Sequence, residues 1–411
     1  MTTPQHHDIV VIGAGIAGSS IASELLERGQ AVCIVDSAPH PASACSSHAY
    51  AIAHPHVGRG APRLLRLTRI AFLMAEARWG KAWNQHGIFQ PNKKDKPFNR
   101  DDVTSYLRSL DLNEGLAQAL DADDAMQACG IYQDGIWLSR GASLNLLEAT
   151  QDALVPHPKL TCCWNTFVAR LEKVDAGWRL MDSQDKTIMT AGKVIIAAAL
   201  ETKRLAASIE VRLPLRPVRG QLSIFSIDEN SSWALKLPRT AISGEGYCLP
   251  AKKLADGTYQ WIVGSSFDEG ESDLQDWDAS DDFNREQAKG LLNYPEGDVD
   301  QLQKSGSFVG VRCVAGDRLP IIGALTQCPG IFLATALGSR GALWSALAAK
   351  LITAQVLEDD LALLARLGFA ADLVAALAPA RFFAGALVAA PALGAFASNS
   401  KPILPSAPKA R

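Results

Sequence analysis

Apolar runs and amphipathic stretches alternate over the first forty residues in a way that predicts a strand, a helix and a second strand. Residues 9–12 are Ile-Val-Val-Ile, residues 16–28 place apolar side chains at helical spacing until Gly29, and residues 31–35 form another β-branched run. The turn Gly13-Ala14-Gly15-Ile16-Ala17-Gly18 joins strand to helix, and Asp36 follows the second strand. Farther along, residues 62–83 read as a helix, 84–124 as a polar, charge-rich insertion and 131–138 as a strand. Residues 193–199 have the continuous apolar character of a buried parallel strand. Between 216 and 310, short alternating segments at 222–227, 247–250 and 259–263 predict an antiparallel sheet. A last strand at 330–336 runs through Gly338-Ser339-Arg340-Gly341 into an alanine- and leucine-rich helix at 342–357.

This order predicts an α/β protein with a Rossmann-type nucleotide-binding domain and an antiparallel-sheet substrate domain. The first is expected to be discontinuous, from residues 1–83, 139–215 and 311–360, and the second to comprise 84–138 and 216–310. Residues 361–400 are expected to be a helical C-terminal extension and 401–411 a flexible tail. The tail's longest apolar run, 382–396, is broken by Pro391 and is shorter than the ~20 residues of a membrane span, so no membrane partner is expected.

Charge and cysteine usage narrow the class further. Forty basic residues against 43 acidic ones give a net charge of -3, which excludes a global positive field for nucleic acid. Eight cysteines without a CxxC pair predict reduced thiols, no disulfide framework and no metal site. The first eight residues lack a basic leader region, so a cytoplasmic location is expected.

The glycine turn carries the first chemistry. Gly13 suits a tight turn, Gly15 lets a pyrophosphate approach the backbone, and Gly18 lets the helix pack on its strand, while Ile16 and Ala17 open a helix whose N-terminus supplies donors. Asp36 lies at the offset of a carboxylate that binds adenosine ribose hydroxyls, and its charge disfavours a 2′-phosphate. The late turn Gly338-Ser339-Arg340-Gly341 adds backbone donors at a second helix start, which suit the negative charge of a reduced flavin and favour FAD over NAD.

Four stretches together resemble the glycine oxidase and D-amino-acid oxidase superfamily of FAD-dependent amine oxidoreductases, up to about Leu377. They are the fingerprint, Pro217-Val218-Arg219-Gly220-Gln221, the block from Gly310-Val311-Arg312 to Asp317-Arg318-Leu319-Pro320-Ile321-Ile322-Gly323, and Gly338-Ser339-Arg340-Gly341. Within it the chain is most similar to the oxidoreductase part of bifunctional enzymes that modify the tRNA wobble uridine, with Leu377-Ala378-Pro379-Ala380-Arg381-Phe382 matching too.

The resemblance implies a glycine oxidase-like fold and FAD held non-covalently. It implies oxidation of the carboxymethylaminomethyl group of 5-carboxymethylaminomethyl-2-thiouridine, with release of glyoxylate and an aminomethyl uridine left behind. By the same resemblance Arg312 is the carboxylate clamp, Tyr247 faces the substrate, Arg340 assists the clamp or orients its loop, and Arg219 and Gln221 are structural. Ser46, Ser47 and His48 fall where the family wraps its flavin; His48 is also a conceivable covalent attachment point.

The implied partners are the tRNA anticodon region and a separate methyltransferase for the following step. Arg59, Arg63, Arg66 and Arg69 form a local basic face suited to tRNA phosphates, or a solvated helix face ion-paired to the inserted segment. Two other functions remain open. One is oxidation of a free amino acid such as glycine, sarcosine or a D-amino acid, and the other is a non-catalytic tRNA-binding module that keeps FAD as a structural ligand.

Overall fold

The strand Gln5–Ile12 is buried from Ile9 onward, and a strand apolar on both faces belongs inside a sheet covered on both sides. In the computed structural model, which describes residues 4–58, 62–93, 96–234, 237–292, 302–358 and 370–383, it occupies that place. It runs parallel to Val32–Val35 on one side and to Thr187–Ile196 on the other, with Val10 opposite both Cys33 and Val194. Leu160–Cys163 and Ile331–Thr335 continue the parallel order outward, and the sheet has eight strands among the described residues. The strand expected at 193–199 is the end of a longer one, Thr187–Ile196, whose first half pairs antiparallel with Gly177–Met181.

Two helices that start at the ends of these strands, Ile16–Glu27 and Gly341–Val356, pack on each other and are buried over most of their surfaces. Pro62–Trp79 packs against the second of them, and Trp79 donates its indole N–H to the Ala342 carbonyl at 2.9 Å. One carboxylate joins all three: Glu24, 3% exposed, accepts from Arg78 at 3.0 Å and from Lys350 at 2.7 Å. The helix expected at 62–83 stops at Trp79, because Gly80 takes φ +44 and Trp83–Gln85 leaves as a strand.

The second sheet is built on two long antiparallel strands, Leu215–Ile227 and Gln303–Ala315, in register from Leu215 opposite Ala315 to Ser226 opposite Gln303. It contains ten strands among the described residues and is mixed, where an antiparallel sheet was expected: Ala241–Ser243 runs parallel to Ile88–Pro91. The segment 84–138 supplies Ile88–Pro91, Gln118–Leu120 and Gly135–Leu138 to this sheet. Its helices Arg100–Ser109 and Ala122–Cys129 start on side-chain caps from Asn99 and Asp121. The expected boundary at 310/311 falls inside Gln303–Ala315, so Arg312 stands on the second sheet.

Of the expected C-terminal extension, the described part is the helix Ala371–Leu377 and the turn Pro379–Phe382; its remainder and the 401–411 tail lie outside the described residues. Arg381 fastens this part by donating to Asp317 at 2.7 Å and to the Leu319 carbonyl at 3.1 Å.

Removing Glu24 leaves Arg78, whose side chain is 11% exposed, with no carboxylate nearer than Glu27 at 4.0 Å among the described residues. Glu24→Ala is expected to cost about 3 kcal/mol of unfolding free energy, measured by urea denaturation. A loss within experimental error of zero contradicts the joining role assigned to Glu24.

Candidate functional site

The turn after the first strand is so tight that side chains are excluded from it. Gly13 has φ +105 and donates its N–H to the Val35 carbonyl, and a Cβ there would lie 2.5 Å from the Ala197 carbonyl oxygen. A Cβ on Gly18 would lie 1.9 Å from the Gly13 oxygen. Gly15 differs: its nearest obstacle is the Ser46 hydroxyl at 3.5 Å, so this side of the turn opens onto a cleft. Asp36, at the end of the second strand, holds the turn by accepting from the Ala14 N–H at 2.6 Å and the Ala38 N–H at 2.8 Å.

The cleft has a cavity volume of about 190 Å³ and lies where the two helix starts converge. The first intrahelical bond of Ile16–Glu27 runs from the Ser19 N–H to Gly15, so the amides ahead of it are donors without helical acceptors. The Ile16 N–H reaches the Ser46 hydroxyl at 3.0 Å. Gly338 and Ser339 line the same cleft, and a Cβ on Gly341 would stand 3.6 Å from Ile16. Two positive helix ends thus face one space, a fit for the pyrophosphate and the polar ring edge of a flavin dinucleotide. Ile52, Leu146, Leu222 and Phe308 supply an apolar wall for its ring.

Arg312 reaches the cleft from the second sheet. It stands opposite Val218, and its guanidinium lies over Gly220, where an added Cβ would come within 2.2 Å of it. It donates to the Ser266 carbonyl at 3.3 Å and to the Ser265 hydroxyl, and the Phe267 ring lies 5.4 Å from its central carbon. Among the described residues no carboxylate pairs with it. Burial pushes the guanidinium pKa down, opposed by the nearby Cys45, Tyr247 and Asp268. A cation held this way gains from an incoming carboxylate what it lacks in the protein.

A second arginine fixes that arrangement. Arg219, fully buried, donates to Asp268 at 3.0 Å, to Ser280 at 3.1 Å, to Gln221 at 2.8 Å and to the Asp273 carbonyl at 3.0 Å, and it lies 3.8 Å over the Trp277 ring. Asp268 also accepts from Ser266, whose oxygen takes the Gln221 N–H. The strip that holds Arg312 is therefore anchored from behind by Arg219 and Gln221.

The structure separates the other expected residues. Tyr247 lines the cleft, but its hydroxyl donates to the Tyr50 carbonyl at 2.8 Å, and burial raises its pKa, so it stays a neutral phenol. His48 lines it as well, tilted against the Phe308 ring at 4.6 Å, with Nδ1 accepting from the Tyr50 N–H at 3.1 Å. Burial, then Arg312, pulls the His48 pKa down to about 4. Ser47 lies in a turn beside Ser46. Arg340 sits at the helix start, and its charge acts on His54 and His56, each held at about 4 chiefly by burial.

Of the basic face, Arg69 pairs with Asp111 at 2.7 Å and Arg66 with Asp372 at 3.2 Å. The ion-paired reading of that helix therefore prevails over an open phosphate-binding row, while Arg63 is exposed and Arg59 lies outside the described residues. Sequence reasoning missed Phe308, Ser265 and Phe267, which belong to no motif. The paired glycines 220 and 310, opposite each other in the sheet, were the available signal.

These features fit a nucleotide-dependent oxidoreductase. The chain belongs to the DAO family, FAD dependent oxidoreductase, whose model matches residues 8–355. It is 32% identical over 418 residues to the tRNA 5-methylaminomethyl-2-thiouridine biosynthesis bifunctional protein MnmC of Ralstonia nicotianae, covering 93% of this chain and 61% of that protein. The chain thus spans about three fifths of the length of that relative. Its fold is similar to that of glycine oxidase from Geobacillus kaustophilus, with TM-score 0.67, 19% identity and coverage of 87% and 96% of the two chains. It is similar too to that of L-alpha-glycerophosphate oxidase from Mycoplasma pneumoniae with FAD bound, with TM-score 0.67, 14% identity and coverage of 86% and 95%. Among the described residues no helix is long and apolar enough to cross a membrane, and no group of His, Cys, Asp and Glu forms a metal site.

Two measurements test this geometry. Gly220→Ala is expected to leave FAD bound but to raise the Kd for acetate, read from the flavin absorbance, about tenfold or more; an unchanged Kd contradicts the placement of Arg312. His48, His54 and His56 are held neutral, with pKa values of about 4 against an ordinary 6.5. The unfolded chain therefore binds more protons as pH falls from 6.5 toward 4, and Tm is expected to drop across that window. A flat Tm there contradicts the burial of the three rings.

Proposed function

We propose that this chain oxidises the carboxymethylaminomethyl arm of a tRNA wobble uridine, releasing glyoxylate and leaving a primary aminomethyl group on the base. The observation that carries the reading is Arg312, a cation without a carboxylate partner, set in the cleft that fits a flavin. The arm is an N-substituted glycine, and its carboxylate matches that guanidinium bidentately. The similarity to MnmC proteins supports the base as the group behind the amine.

The flavin, when bound, supplies the two-electron acceptor for the C–H bond that breaks. Gly15, Ile16, Ala17 and Ser46 would hold its pyrophosphate, Asp36 would accept from its ribose hydroxyls, and Gly338, Ser339 and Gly341 would offer backbone donors to its ring. Gly13 and Gly18 keep the turn close enough for this. Arg312 fixes the carboxylate and so orients the neighbouring carbon. Tyr247 and His48 stay neutral, walling the pocket without acting as strong bases, and the substrate's own nitrogen lone pair drives the oxidation. His48 is engaged by Tyr50 and Phe308, which supports a cofactor held without a covalent bond.

Oxidation of a free amino acid is the second reading, because Arg312 accommodates any glycine carboxylate. The purified protein, loaded with FAD and mixed anaerobically with tRNA bearing the arm, is expected to lose its yellow colour as glyoxylate appears. Acid precipitation is expected to release the flavin into solution. Arg312→Met is expected to lower kcat/KM about 100-fold or more. Bleaching by glycine or sarcosine but not by the tRNA rejects the proposal in favour of the second reading.

A further inference from the structure

Phe267 is 46% exposed although it lies against the clamp, with its ring 5.4 Å from the central carbon of Arg312. Side chains along an extended segment alternate between its faces. Ser266 and Asp268 point back to Gln221 and Arg219, and Ser265 and Phe267 point to Arg312. The ring is thus presented outward by a strip of backbone anchored on two buried side chains.

Resting on the function proposed above, we infer that Phe267 is the platform on which the substrate's pyrimidine base stacks while Arg312 holds the carboxylate. The arm sets the reach: four bonds separate the carboxyl carbon from the ring carbon of the base, a span of about 5 Å when extended. That length brings a base to a ring beside the guanidinium, where aromatic partners stack with centroids about 4.5–7 Å apart. A flipped base is gripped by stacking on such a ring, and stacking is indifferent to the sugar and phosphate that follow.

Electrostatics favour recognition through the base. Glu269, Glu271 and Asp273 follow Phe267 in sequence and are a poor surface for phosphate, and Arg66 and Arg69 are already spent on ion pairs. A free amino acid has nothing to place on Phe267, so the ring is where a base-bearing substrate is separated from a small one.

The FAD-loaded chain tests this with two readouts, the KM for tRNA carrying the arm in anaerobic flavin reduction and the Kd for acetate from the flavin absorbance. Phe267→Ala is expected to raise the tRNA KM about 10- to 100-fold beyond any change in acetate Kd, and Phe267→Trp to restore it. Equal changes in both readouts overturn the inference and reduce Phe267 to a packing residue for Arg312. Wild-type reduction by the tRNA with an unchanged KM in Phe267→Ala overturns the platform alone. No reduction by the tRNA in the wild type overturns the proposed function, and the platform with it.

Discussion

A guanidinium taken partly out of water without a carboxylate beside it has to be held by neutral groups, and those groups must themselves be unable to move. Arg312 is held by the Ser265 hydroxyl and the Ser266 carbonyl, and Arg219 pins the strip that carries them through Asp268. Arg219 costs less to bury because each of its donors is satisfied and its face lies on Trp277. The paired arrangement sets one cation fully compensated and one without an ion pair side by side on a sheet surface. The same strip sets where Phe267 stands.

The cofactor side follows a different rule. There the donors are backbone amides at two helix starts, and the small residues matter for what they leave out. Gly13 and Gly18 keep strand, turn and helix in contact. Glu24 then ties both helices to Pro62–Trp79, so the two helix ends cannot separate without breaking a buried ion pair.

The sequence pattern carried most of the cofactor half, because strands buried on both faces and glycine turns leave local signatures: 16–28 and 330–336 end within one residue of the observed elements, and 9–12 is the buried half of Gln5–Ile12. The second sheet was legible in kind but lost its parallel pair, since nothing local in Ala241–Ser243 tells which neighbour it will meet. Arg312 and Tyr247 were found through motif likeness. Phe267, Ser265 and Phe308 were not, because their proximity depends on register between strands some ninety residues apart. The arginines of Pro62–Trp79 show the same limit, since their partners Asp111 and Asp372 come from distant segments.

The parallel pairings of the cofactor sheet also order events during synthesis. Val10 needs Val194 beside it, Val194 needs Ile331, and the cleft needs the helix that begins at Gly341. The fingerprint at 13–18 precedes Gly341 by more than three hundred residues, so during synthesis its cleft stays incomplete until the second helix start has been made. The apolar end of the first strand, residues 9–12, gains Val32–Val35 early but keeps its other edge open until Thr187–Ile196 has been made, a state in which nascent chains depend on chaperones and in which flavin cannot yet help.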